Sequence, residues 1–180
     1  MRWTLLAPAI LLAACFALPA NAEEFSAKFS GFQEIGPLGA GETGAILSPG
    51  KATLQVDLNK NANSLTYSLT YSGLIAPITQ AHIHFGKNHV AGGIMVFLCT
   101  NLAPPAGVPL PPACPANGGT VSGTLTAANV IAIPGQGVPA GNFDALVAAL
   151  ESDTAYANIH STSFPAGEIR GQVRRAERED

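Results

Sequence analysis

Apolar and polar residues alternate along much of this chain, with a period of two rather than 3.6. Ala52, Leu54, Val56 and Leu58 fall on one side, and Thr53, Gln55 and Asp57 on the other. Asn59-Lys60-Asn61-Ala62-Asn63 follows, rich in residues that accept the backbone angles of tight turns. Leu65, Tyr67, Leu69 and Tyr71 then alternate with Thr66, Ser68 and Thr70. Period two on both sides of a turn predicts an antiparallel hairpin with one buried and one wet face. Phe25, Ala27 and Phe29, set against Ser26, Lys28 and Ser30, predict an opening strand within 25–32. Further strands are predicted over 79–86, 94–98, 120–126, 155–161 and 168–173. The unbroken apolar run Ile94-Met95-Val96-Phe97-Leu98 reads as a central strand buried on both faces. One segment carries helical spacing: Phe143, Leu146, Val147 and Leu150 follow the capping residue Asn142 at i, i+3, i+4, i+7, enough for about two turns.

Loops rich in Gly and Pro separate these segments at 36–50, 101–119 and 135–141. Many short antiparallel strands between such loops predict an all-β sandwich, immunoglobulin-like or superoxide-dismutase-like, with one short helix. Its core is expected from Leu54, Val56, Leu65, Leu69, Ile94, Val96 and Ile159.

The N-terminus has a separate role. Met1-Arg2, an apolar stretch over 4–18 and the small-residue pattern Ala20-Asn21-Ala22 before Glu23 form a secretory signal peptide, cleaved between Ala22 and Glu23. Leu12-Ala13-Ala14-Cys15 also fits a lipobox, in which Cys15 would carry a lipid anchor. No later segment reaches the roughly 18 consecutive apolar residues of a spanning helix. The expected organisation is a signal peptide at 1–22, one domain at 23–174 and a charged tail at 175–180. The protein is expected to be exported, to the periplasm or outside the cell.

Loss of Arg2 leaves eight Lys and Arg against 12 Asp and Glu, a net charge of −4. That is no footprint for nucleic acid. In an oxidising compartment Cys99 and Cys114 are expected to form a disulfide. Their spacing matches no common zinc pattern.

The most suggestive chemistry is His82-Ile83-His84. Two positions apart on a strand, both imidazoles leave one face about 6–7 Å apart, within reach of a single metal ion. Tyr156, Asn158 and His160 share a face of another predicted strand. If the two strands lie close, His82, His84 and His160 can hold copper or zinc through three nitrogens. His89, in a loop, is a further candidate ligand, and Asn158 can orient a ligand from behind. The alternative is a structural network in which Asn158, Glu168, Arg170 and His160 only brace the last hairpin. No nucleophile elbow G-x-S-x-G appears, and Glu34 and Glu42 show no sign of an acid–base pair.

Several segments occur together in order. They are Ala81-His82-Ile83-His84-Phe85-Gly86, the helix near 143–150, Tyr156-Ala157-Asn158-Ile159-His160-Ser161, and Pro165-Ala166-Gly167-Glu168-Ile169-Arg170-Gly171-Gln172. In this combination the chain resembles the CHRD domain, the module first recognised in chordin and found in many bacterial exported proteins. The resemblance implies an extracytoplasmic β-domain and no known enzymatic activity. It leaves a non-catalytic binding or structural module, with an extracytoplasmic protein or a small ligand as partner. A second likeness, to copper–zinc superoxide dismutases, rests on the H-x-H pair. That family's other metal ligands are not recognisable here, so dismutase chemistry does not follow.

Overall fold

The computed structural model describes residues 22–35, 44–104 and 106–176. Residues 1–21 of the expected signal peptide, with Cys15 of the lipobox alternative, Glu42 and the last four residues of the expected charged tail lie outside them.

Among the described residues, nine strands form two antiparallel sheets. The first contains β1 (Ala22–Phe29), β2 (Lys51–Asn59), β3 (Ser64–Ser72), β6 (Gly119–Leu125) and β9 (Arg174–Arg175), in the order β6-β3-β2-β1-β9. The second contains β4 (Ile78–Phe85), β5 (Gly93–Thr100), β7 (Ala155–Ser161) and β8 (Ile169–Gln172), in the order β5-β4-β7-β8. The predicted sandwich is therefore the observed architecture, and the one α-helix among the described residues is α1 (Phe143–Glu151). Asn142 caps it, its side-chain oxygen accepting from the Ala145 amide.

The β2–β3 hairpin has the register that the alternation dictates, Leu54 opposite Leu69 and Val56 opposite Tyr67. Inward residues Leu54, Leu58, Leu65 and Leu69 are fully buried. Each contributes roughly 1.5–3 kcal/mol by leaving water. From the second sheet Ala81, Ile83, Ala157, Ile159 and Ile169 face the same core.

Two expectations need correction. The run Ile94–Leu98 lies in β5, an edge strand of its sheet rather than a central one. It is apolar because other chain covers it: the Ile131 amide donates to the Met95 carbonyl, and the Thr100 amide donates to Pro112. Ile94, expected in the core, is only half-buried. Arg174 and Arg175, at the boundary between the expected domain and the expected tail, pair with Ser26 and Phe25 as β9 while keeping their side chains exposed.

Cys99 and Cys114 are disulfide-bonded. Closing a loop with a sequence separation of 15 stabilises by about 3 kcal/mol in the chain-entropy view. No helix among the described residues is long and apolar enough to cross a membrane.

One crossing positions the site. β1 ends at Phe29, and Ser30 then pairs with Arg170 of β8, exchanging amide-to-carbonyl bonds of 3.0 and 3.2 Å. A 3-10 turn, Gly31–Gln33, follows. Its close packing needs glycine, since a Cβ on Gly31 would stand 2.1 Å from the Ile46 carbonyl oxygen. The chain has thereby moved from the first sheet onto the outer side of the second, carrying Glu34 with it.

Candidate metal centre on the outer face of the second sheet

β4 and β7 are direct neighbours, with His82 opposite Asn158 and His84 opposite Tyr156. Inward positions of both strands feed the core. Outward positions present His82, His84, Tyr156, Asn158 and His160 on one face. An outer sheet face is usually wet, yet His82 is fully buried, His84 is 6% exposed and His160 is 8% exposed. Glu34, the 87–92 loop and the turn at 162–167 supply contacts from above.

His82, His84 and His160 each offer a ring nitrogen, and these atoms all lie within 4.8 Å of one another. His82 packs edge-on against Phe97, with ring centroids 4.3 Å apart, and neither of its ring nitrogens has a hydrogen-bond partner. His84 Nδ1 is 3.0 Å from the Gly92 carbonyl, and its Nε2 is 2.9 Å from Asn158 Oδ1. His160 repeats the pattern, with Nδ1 2.9 Å from the Pro165 carbonyl and Nε2 3.0 Å from the same Asn158 Oδ1.

Burial is the main force on all three rings and disfavours their charged forms. It pushes His82 down to about 2, reinforced by His160 and His84, and His84 down to about 4, against the Gly92 hydrogen bond. His160 is also lowered by burial, opposed by its bond to Pro165. The rings are therefore neutral near pH 7, and each carries one N–H.

The hydrogen-bond count then fails to close. His84 and His160 make four contacts, and every one ends on an oxygen acceptor, but two neutral rings supply only two protons. With Nδ1–H donated to the carbonyls, two Nε2 lone pairs and the Asn158 oxygen face one another with no proton between them. Asn158 Nδ2 points to Glu34 Oε2 at 3.4 Å. Turning the amide would give both rings a donor but set its oxygen against the Glu34 carboxylate. With the amide oxygen toward the rings, no donor stands between these three atoms.

Around it, Tyr156 stacks on His84 with centroids 4.6 Å apart and planes 6° from parallel. The Arg170 guanidinium lies 3.3 Å from the Tyr156 ring centre. Arg170 Nη2 also donates to the Lys87 and Val90 carbonyls, at 3.1 and 3.0 Å, tying down the loop whose Gly92 carbonyl holds His84. Gly167 has φ +134, and a Cβ there would meet Glu34 Oε2 at 2.3 Å, so glycine alone lets Glu34 reach Asn158. Gln172 donates to the Gly86 and Asp153 carbonyls.

Glu168 looks elsewhere. Its Oε1 accepts from Ser48 Oγ at 2.6 Å and from the Ile75 amide at 2.7 Å, pinning two loops. His89 is exposed, has φ +61 and stays outside the histidine cluster. Sequence reasoning missed Glu34 and the part played by Gly92 and Phe97. Glu34 follows no periodic pattern, and only the chain crossing after β1 brings it here.

The fold and the site define a disulfide-bonded β-sandwich with a buried polar cluster on one outer face. The family model of the CHRD domain matches residues 25–173, nearly all of the described chain, and the protein belongs to that family. No curated protein and no solved structure matches it. The motif segments acquire physical content here: Tyr156, Asn158, His160, Pro165, Gly167 and Arg170 each build part of the cluster described above, and Glu168 anchors the loops beside it.

Proposed function

We propose that this domain is an extracytoplasmic binding module whose working site holds a transition-metal ion, zinc or copper, through His82, His84 and His160. The carrying observation is the convergence: ring nitrogens of three buried histidines lie within 4.8 Å of one another, two of them meet the same amide oxygen, and the third ring has no hydrogen-bond partner. A cation among these atoms satisfies every one of them. Hydrogen bonds from Nδ1 to backbone carbonyls fix the rings of His84 and His160 with Nε2 free to ligate, the usual way outer groups orient a ligating histidine. Nitrogen donors suit zinc and copper. Tetrahedral ligands lie about 3.3 Å apart around such an ion, so the 4.8 Å cluster closes through small side-chain rotations. Export is supported by the N-terminal segment, the disulfide and the family.

A structural reading has its own support. Glu168, Arg170 and Gln172 are bound to loop backbone groups, so part of the network braces the fold whether or not an ion binds.

Titration calorimetry of the metal-stripped mature protein with Zn²⁺ or Cu²⁺ separates the two. One ion per chain is expected, with binding lost in His82→Leu. That variant should keep its metal-free stability within about 1 kcal/mol, because no hydrogen bond is removed. A folded wild-type protein that takes up neither ion contradicts the metal reading.

A further inference from the structure

His84, Asn158 and His160 line a cleft of about 280 Å³ together with Glu34, Tyr156 and Arg170. The volume holds a molecule of several non-hydrogen atoms. His82 does not line it and is fully buried. An ion held by the three imidazoles therefore has protein on the His82 side and the cleft on the other.

The charges along this cleft set what can enter. Among the described lining residues the charged side chains are Glu34 and Arg170, one of each sign, and their attraction acts on Arg170 against the burial that lowers its pKa. The three imidazoles are neutral. Before any ion arrives the lining sums to zero. A divalent ion held only by neutral donors then adds two positive charges to a largely buried place, where charge is costly unless paired. The Asn158 amide oxygen next to the rings is a neutral donor and compensates none of it.

Resting on the metal reading above, we propose that the site takes a small monovalent anion of carboxylate size, which enters through the cleft and binds the ion on the side of Asn158. Arg170 and Glu34, at the cleft wall, tune that affinity in opposite directions.

The test uses the Cu²⁺-loaded mature protein and azide as probe. Copper stoichiometry is measured first. Azide should give a saturable charge-transfer band, and acetate should displace it. Glu34→Gln removes a negative charge from the wall and should tighten azide by roughly ten-fold, while Arg170→Gln should weaken it by a similar factor. Arg170→Lys, which keeps the charge, should stay within a few-fold of wild type. Thermal melts check that each variant is folded. If Arg170→Gln does not fold, the sign of the Glu34→Gln shift still decides.

Failure to load copper overturns the metal reading and this inference with it. A copper-loaded protein with no azide band overturns the anion site alone. So does a band that acetate does not displace, or an azide affinity that Glu34→Gln leaves unchanged or weakens.

Discussion

In the first sheet, β2 and β3 bury every second residue and leave Thr53, Gln55, Thr66 and Thr70 exposed; in the second, all seven residues of β7 are buried, inward and outward alike. β7, like β2 and β3, alternates apolar and polar side chains, so the difference does not lie in the pattern. It lies in what covers the outer face. Water satisfies the outer hydroxyls and amides of β2 and β3 at no cost. Over β4 and β7, loops have replaced water, and each polar group needs a partner in the protein. Most have one. The imidazole of His82 does not, and the shared Asn158 oxygen is met by lone pairs. The covered face is where the fold departs from simple burial, and the chemistry is concentrated there.

The contrast is broken most strongly by acid. In the metal-free protein the three buried histidines have native pKa values below the usual one, His84 at about 4 and His82 at about 2. The unfolded chain protonates near 6.5. Below about pH 6.5 the unfolded state binds more protons than the native state, so stability is intact above that pH and is lost as pH falls toward the native values. Each histidine contributes up to about 1.4 kcal/mol per pH unit in this window. Urea unfolding at pH 7 and pH 5 should show a loss of several kcal/mol. Equal stability at the two pH values would mean that the rings are not held neutral.

Smaller effects come from the first sheet, where the two faces can be probed separately. Leu54→Ala, at a fully buried inward position, should cost about 2–5 kcal/mol. Thr66→Ala, on the exposed side of the neighbouring strand, should change stability by no more than about 0.5 kcal/mol. Denaturant midpoints measure both. A large cost for Thr66→Ala would show that this face, too, is covered.

The same contrast explains what the sequence made legible. The β2–β3 hairpin follows from local alternation and a turn, and α1 from Asn142 and a helical stripe. Pairing of His84 with Asn158 spans 74 positions, and only strand order reveals it. H-x-H and Y-x-N-x-H each identify a face, but neither says that the two faces adjoin or that a roof covers them. β5 misled for a related reason: a continuous apolar run reports burial on both faces, and loops bury an edge strand as well as neighbouring strands do. Glu34 left no trace because its position depends on a crossing between sheets rather than on any periodic pattern.

Long-range proton–nitrogen NMR of the histidine rings, before and after one equivalent of Zn²⁺, examines the convergence of lone pairs directly. In the metal-free protein at pH 7, His84 and His160 should carry their proton on Nδ1 with Nε2 bare. Zinc should shift both Nε2 signals and one His82 nitrogen together, leaving His89 unmoved. Ring signals from His82, His84 and His160 that stay in place in a folded sample with one equivalent of zinc would contradict a metal site on this face.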